Sequence, residues 1–554
     1  MIMLVFRPKI IDVLKEGYNS KTFFKDLTSG LTVSIVALPL ALAIAIASGA
    51  KPEQGLYTAI IAGFLISLFS GSRFQIGGPT GAFIVLVYHV IQQYGYDGLA
   101  KATLMAGIIL IFIGVFRIGT WIKYIPYPVT IGFTSGIAVV IMSSQLKFLL
   151  GIQVPHASAH FVGQIREILT LYSHVNYYDI GIVLGCFAIL KFWPKVTRRV
   201  PGMLIVISAS TLVVSLFHFP VETIGSKFGT VANTFVPPQF TFFSSRSEFV
   251  HLLSPAFAIA LLAGIESLLS AVVADGMTGR RHRSNTELIA QGIANIVSVL
   301  FSGIPATGAI ARTATNIRSG GLTPFAGMFH AFFLLIIMLL FAQYAALVPL
   351  CALAAILIMV AFHMGEWKLF LLIAKSPAAD LAVLLTTFLL TVFVDLAKAI
   401  EFGMILASLL FMHRLASASR TTSITNVLRD ENESKETLDI ISKKIPAGVE
   451  VYEIQGSLFF GAADQFKETL SRINQKPKVL ILRMRQVVTI DATSLRALQD
   501  ILKQTKKEKT HLLFSGLHKD VFIAMKRFGL VSLVGEKNFF KHIDHALLYS
   551  ETLL

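Results

Sequence analysis

The chain has 554 residues, of which 54% are hydrophobic and only 14% charged, and its mean hydropathy is +0.70. A water-soluble protein of this length cannot cover so much apolar surface, because surface does not shrink fast enough with size, so most of the chain has lipid as its solvent. The net charge of +16 would suit nucleic acid or a membrane surface. The basic residues sit in short loops between apolar runs rather than in one patch, which argues against a nucleic-acid partner.

Residues 1–25 carry Arg7, Lys9, Lys15, Lys21 and Lys25 and read as a cytoplasmic segment ahead of a retained first span. The apolar run behind them is too long for the core of a secretory signal. Through residues 26–416, windows long enough to cross a bilayer recur. They fall at about 28–48, 54–70, 78–93, 101–118, 127–149, 177–194, 202–218, 253–275, 287–300, 306–318, 323–342, 346–362, 378–394 and 397–413. Fourteen spans return the chain to the side on which it began. Arg117 and Lys123, Lys191 to Arg199, Arg280 to Arg283, Lys368 and Lys375, and Arg414 and Arg420 all fall in alternate loops. By the positive-inside rule both termini are expected in the cytoplasm of a bacterial-type inner membrane. Cys186 and Cys351 lie in apolar runs, with no spacing that implies a disulfide or a metal. Gly181 and Gly185 read as a small-residue packing contact.

Residues 417–445 are polar, include Asp430-Glu431-Asn432-Glu433, and read as a linker or peripheral helix. Residues 446–554 alternate as a small α/β domain. Strands are expected at Val449–Ile454, Lys478–Leu482 and His511–Phe514, and helices at Ala463–Ile473, Thr493–Gln504 and Lys519–Phe528.

Two segments are broken by glycine and proline: Gly77-Gly78-Pro79-Thr80-Gly81-Ala82 and Gly303-Ile304-Pro305-Ala306-Thr307-Gly308-Ala309. Each precedes a helix shorter than a normal span. Pro79 and Pro305 stand 226 positions apart, and the same offset from Pro39 arrives beside Glu266. This pattern predicts an inverted repeat of seven plus seven spans with its binding site at the two breaks. A half-helix starting in mid-membrane aims free N–H groups and its positive dipole end at the centre, which suits an anion.

Glu266 and Arg312 are charged residues in otherwise apolar spans. A lone charge there costs about 2.5–3.5 kcal/mol, so both are expected to face a protein cavity and each other. Arg312 is expected to attract the anion, and Glu266 to tune that charge and carry a co-transported proton. A static pair that only joins two helices is the plainer alternative. Ser270, one turn beyond Glu266, offers a hydroxyl to a small-cation site. Thr80, Thr307 and Gln75 offer hydrogen bonds to an oxyanion. His89, His218, His330 and His363 lack ligand-like spacing and read as packing or interfacial residues. Neither cofactor nor metal is expected.

On these residues the chain resembles the SulP sulfate permease family of anion transporters with a C-terminal STAS domain. The resemblance runs from Asp26 to the end. It is carried by Asp26-Leu-Thr-Ser-Gly-Leu-Thr-Val, Ala37-Leu-Pro-Leu-Ala-Leu-Ala, Gly55-Leu-Tyr, Gly78-Pro79-Thr80-Gly81 and Gln145-Leu146 before Gly151. It continues in Glu266-Ser-Leu-Leu-Ser-Ala-Val-Val-Ala-Asp275 and Asn285-Thr-Glu-Leu-Ile-Ala-Gln-Gly-Ile-Ala-Asn295. The resemblance implies core and gate domains, an elevator movement and a homodimer. It also places Gly78, Pro79, Thr80, Gly81 and Ala82 on one side of the substrate, and Ala309, Ile310, Ala311 and Arg312 on the other. Contributions from Ala37–Leu40 and Glu266 would complete the site.

Sodium-coupled bicarbonate members carry small or hydroxyl residues near the positions of Ile310 and Arg312, so the resemblance favours sulfate or a similar oxyanion, by proton symport or anion exchange. Sodium-coupled bicarbonate transport, dicarboxylate transport and an anion channel stand as alternatives. In the STAS-like part, Ile490-Asp491-Ala492-Thr493-Ser494-Leu495 departs from the Asp-Ser-Ser-Gly phosphorylation loop at Ala492, leaving Thr493 or Ser494 as substitutes and Asp491 as a plain helix cap. A membrane-anchored sensor would need neither broken helices nor buried charges. A nucleobase permease does not account for the STAS-like tail and Arg312. No nucleophile–base set, metal spacing or phosphate loop points to an enzyme.

Overall fold

The computed structural model describes the chain apart from residues 1–5, 121–124, 155–160, 198–199, 233, 235–236, 239–244, 395, 419, 424–444 and 457–476. The expected helix Ala463–Ile473, most of the expected linker, and Lys123, Arg198 and Arg199 lie outside the described residues. The chain divides into two compact units, Met1–Ile405 and Leu406–Leu554.

The first unit is helical. A short helix α1 (Lys9–Glu16) precedes α2 (Ser20–Ala47) and α3 (Pro52–Phe69). Strand β1 (Gly77–Gly78) leads into α4 (Phe83–Val115), followed by α5 (Tyr127–Leu149), α6 (Phe161–Thr170), α7 (Tyr177–Val196), α8 (Gly202–Phe217) and α9 (Ile224–Phe228). The second half has α10 (Arg246–Thr278), α11 (Ser284–Leu300), β2 (Thr307–Gly308), α12 (Ile310–Arg318), α13 (Pro324–Ala345), α14 (Leu350–Met364), α15 (Trp367–Ile373), α16 (Ala378–Phe393) and α17 (Leu396–Ala418).

Every expected span coincides with a helix, with one difference. The third and fourth windows share α4, which breaks at Gly95 where φ is 70° and ψ −179°. Only glycine takes that conformation without strain, so two helices join at a kink there without a separate loop. By length and composition, seven of the described helices suffice to cross a membrane alone; the shorter ones include α12, which starts at a break.

Helices α2, α3, α4, α10, α11, α12 and α13 pack as a core. Helices α5, α7, α8, α14 and α16 pack as a gate beside it. Close approach in the core relies on small residues. A Cβ on Gly107 would fall 2.7 Å from the Gly292 carbonyl, and one on Gly292 only 2.5 Å from that of Gly107. The expected packing contact at Gly181 and Gly185 is not made among the described residues: nothing there lies within 4 Å of a Cβ at either, and both glycines are exposed.

Long-range polar contacts tie the halves together. Asp26 on α2 is fully buried and accepts from the Leu322 amide at 2.7 Å, the Thr323 amide at 3.2 Å, the Thr323 hydroxyl, and Tyr18 at 3.2 Å. It thereby holds the turn that starts α13. Ahead of α2, Asp12 pairs with Arg283 and Arg7, each at 2.8 Å, and Glu16 pairs with Arg73. The Lys9 amide donates to the Ser70 carbonyl. Residues 7–16 therefore strap the loops that precede β1 and α11.

The second unit is a five-stranded sheet in the order β3 (Arg420–Ser423), β4 (Val449–Gln455), β5 (Val479–Gln486), β6 (His511–Ser515) and β7 (Phe539–Phe540). Strands β4 to β7 are parallel and β3 pairs antiparallel on the edge. β3 lies inside the stretch read from sequence as a linker, and its backbone pairs with the edge of β4 there. Helices α18 (Ala492–Lys507), α19 (Lys519–Arg527), α20 (Leu530–Val534) and α21 (Ile543–Glu551) complete the unit. Asp491 caps α18 by accepting from the Ser494 amide at 2.8 Å, so the departure at Ala492 sits at an ordinary helix start.

Two outcomes are expected from these contacts. Asp26→Ala leaves two backbone amides and two hydroxyls without their acceptor and should lower stability by about 3 kcal/mol, read as a drop in thermal unfolding temperature in detergent. At Asp12, burial acts to raise the carboxyl pKa, but Arg283, Arg7 and Lys9 outweigh it and hold it below the ordinary carboxylate range. A depressed pKa stabilises the fold above the ordinary range and loses that contribution as pH falls through the lowered value. The unfolding temperature of wild type should fall on acidification, and that of Asp12→Asn should start lower and fall less.

Candidate functional site

The two broken segments meet. Strand β1 pairs antiparallel with β2, Gly77 opposite Gly308 and Gly78 opposite Thr307. The Ala309 amide donates to the Ile76 carbonyl at 2.8 Å, extending the join. Helix α4 starts five residues after β1 and α12 two residues after β2, so two helix N-termini converge on one place between the repeats.

Backbone that is neither helical nor paired must find other partners inside a membrane. Here the partners come largely from the opposite repeat. Thr313 Oγ1 accepts from the Ile76 amide at 3.1 Å, and Asn316 Nδ2 donates to the Phe74 carbonyl at 2.9 Å. In the other direction, Thr58 Oγ1 accepts from the Ile304 amide at 2.7 Å. Asn295 takes both polar groups of Ala306, at 2.8 Å each, and Thr307 Oγ1 donates to the Ala263 carbonyl at 2.8 Å. Glu287, fully buried, accepts from the Gly71 amide, Ser267, Gln291 and the Ser70 hydroxyl. Thr58, Glu287, Asn295, Thr313 and Asn316 were not singled out as site residues from sequence. Their signal is polarity inside short apolar spans, the same rarity that marks Glu266 and Arg312.

Arg312 is 2% exposed. Its Nη2 donates to the Pro79 carbonyl at 2.7 Å, whereas its Nη1 has no hydrogen-bond partner among the described residues. That free N–H group lies against Gly78, where any Cβ would run into the guanidinium. Gly78 also has φ at +145°, which side chains rarely adopt. Glu266 accepts from the Thr80 hydroxyl at 2.7 Å. Among the described residues no ion pair joins Glu266 and Arg312, contrary to the expectation that they face each other; each is held instead by a group on Pro79 or Thr80.

The other expected site residues divide. Thr80 and Ala82 are buried beside the join, and Ala309 is buried on its far side. Ile310 is 39% exposed and Ala311 is also exposed, so the first turn of α12 borders open space. At Gly81 a Cβ would lie 3.5 Å from Ile141 and 3.9 Å from the Met364 sulfur, which is ordinary contact with the gate. Ser270 donates to Thr313 Oγ1 at 3.1 Å, and Gln75 Nε2 donates to the Ser267 carbonyl at 3.2 Å. Both brace the join. His330 is buried, and its ring nitrogens have no partner among the described residues.

Residues 23–387 match the model of the sulfate permease family and residues 441–546 that of the STAS domain. The chain belongs to the sulfate permease family. Like the rest of that family it is a membrane transporter of anions and not an enzyme. It is 41% identical over 533 residues to the putative sulfate transporter YvdB of Bacillus subtilis, covering 96% of this chain and 98% of the relative. It is 31% identical over 508 residues to the bicarbonate transporter BicA of Picosynechococcus, covering 89% and 88%. The fold matches that of the murine Solute Carrier 26 family member A9 anion transporter with a TM-score of 0.87 at 17% identity, covering all of this chain and 94% of the other. The transmembrane domain of a cyanobacterial bicarbonate transporter BicA matches with a TM-score of 0.62 at 30% identity, covering 70% and 98%.

Gly78 carries two constraints at once, a φ of +145° and the Arg312 guanidinium where a Cβ would stand. Gly78→Ala should abolish anion flux while leaving the STAS unit folded, measured by proteoliposome uptake beside circular dichroism of the purified protein.

Proposed function

We propose that this protein is a secondary active transporter of sulfate or a similar small oxyanion, coupled to protons or working by anion exchange. The observation that carries this reading is the spare Arg312 Nη1, buried at the point where two helix N-termini converge. A full cationic charge, two positive dipole ends and little competing carboxylate form a cradle for a compact anion. Gly78, Pro79, Thr80, Gly81 and Ala82 border it on one side, and Ala309, Ile310, Ala311 and Arg312 on the other.

Coupling is assigned to Glu266. Its carboxylate is tied to Thr80, one residue from the carbonyl that anchors Arg312. An arriving anion would disturb both contacts together and favour a protonated Glu266, so that the proton moves with the anion and offsets one unit of its charge. Ser270 acts as a brace for α12 rather than as a cation ligand. Transport by an elevator movement is supported by the way hydrogen bonds are spent. The core is cross-linked by hydrogen bonds between its repeats, whereas beside Gly81 the nearest gate atoms are apolar, belonging to Ile141 and Met364.

The likeness to bicarbonate transporters keeps one second reading in play, sodium-driven bicarbonate uptake. The two are separated by uptake of labelled sulfate and bicarbonate into proteoliposomes under imposed proton or sodium gradients. Wild type should take up sulfate under a proton gradient. Arg312→Ala should raise the half-saturating concentration at least a hundredfold, about 2.8 kcal/mol of lost binding. Glu266→Gln should lose the proton-driven component and keep exchange. Sodium-driven bicarbonate uptake by wild type would overturn both the substrate and the role given to Glu266.

A further inference from the structure

A pocket separate from the helix-start site lies between core and gate. Its walls are the end of α2 at Ile46 and Ala47, the early turns of α4 from Ile84 to Tyr88, the end of α5 from Val140 to Phe148, and α6. The volume is about 50 Å³, room for a few waters or one small anion. Because α4 begins just after Gly78–Ala82, the pocket lies along the first turns of that helix.

One of its lining side chains is the cation Lys147. Among the described residues no carboxylate comes within ion-pair distance of it; its ammonium rests 5.0 Å from the centre of the Phe148 ring. Lys227 approaches the same ring at 4.9 Å but has its own partner, Glu222, at 3.3 Å. Lys147 therefore brings to the pocket a cation that no direct ion pair takes up among the described residues, with the Glu167 and Glu222 carboxylates acting on it from further away. Gln145, whose amide donates to Ser144 at 2.9 Å, and Gln164, held by Ser143 at 2.9 Å, add polar edges. Glu167 of α6 is also in the wall, and opposes an anion there.

We propose that this pocket is a second anion site, where a small oxyanion pauses between the membrane face and the helix-start site, attracted by Lys147 and rationed by Glu167. The inference rests on the anion-carrier reading above. Since α2 and α4 belong to the core and α5 and α6 do not, movement of the core resizes the pocket. Occupancy is thus tied to one end of the transport cycle.

The test is concentration-dependent uptake of sulfate and bicarbonate by proteoliposomes of wild type, Lys147→Gln and Glu167→Gln. Lys147→Gln should raise the half-saturating concentration about three- to tenfold with the maximal rate within about twofold of wild type. Glu167→Gln should lower it. Shifts of opposite sign cannot come from misfolding. Unchanged half-saturation in both variants, or a fall in maximal rate alone, overturns the second site and leaves the carrier reading intact. Absence of saturable anion flux in wild type overturns the carrier reading first.

Discussion

No amide inside a bilayer can turn to water for a partner, and the two breaks at Gly77–Ala82 and Gly303–Ala309 expose several amides and carbonyls there. The rest of the core is arranged around that constraint. A two-residue antiparallel pairing joins the breaks to each other. What the pairing leaves over is taken up by Thr58, Asn295, Thr313 and Asn316. Glu287 and Asp26 do the same for the loops further out, each a buried carboxylate surrounded by donors. A polar network in a low-dielectric interior is stable only when complete. Here the hydrogen bonds that the breaks make to one another and to these side chains leave Arg312 one N–H group unspent.

On the proposed reading, that unspent group is what lets so small a constellation recognise an anion. An arginine locked by a facing glutamate would present no net charge to a substrate. Arg312 is instead anchored through a neutral carbonyl, which fixes its position without cancelling its charge. Gly78 makes the arrangement possible, because the guanidinium occupies the space a side chain would need.

Much of this was legible in the residues. The apolar windows placed the helices, since bilayer thickness sets a minimum run that few soluble segments reach. Glycine with proline at matching positions marked the breaks, and the scarcity of charge drew attention to Glu266 and Arg312. Other features were hidden for identifiable reasons. Apolar windows measure length and not bends, so the kink at Gly95 inside α4 left no trace except the glycine itself. The partners of Arg312 and Glu266 lie 233 and 186 positions away, beyond any local pattern. Strand β3 is four residues long and forms only because β4 offers it an edge. The same holds for Ser270, whose hydroxyl looks available in sequence and is used up by Thr313 in space.

The reciprocal satisfaction of the two breaks also bears on how the protein is made. Asp26 and Thr58 emerge from the ribosome early, and their partners near Leu322 and Ile304 follow 296 and 246 residues later. During that interval the first repeat sits in the bilayer with its break unpaired, held by helix packing alone. Its backbone cannot settle until the second repeat arrives in the opposite orientation. The two halves therefore mature together in one late, cooperative step, and biogenesis depends on whatever shields the polar break of a half-finished chain from lipid.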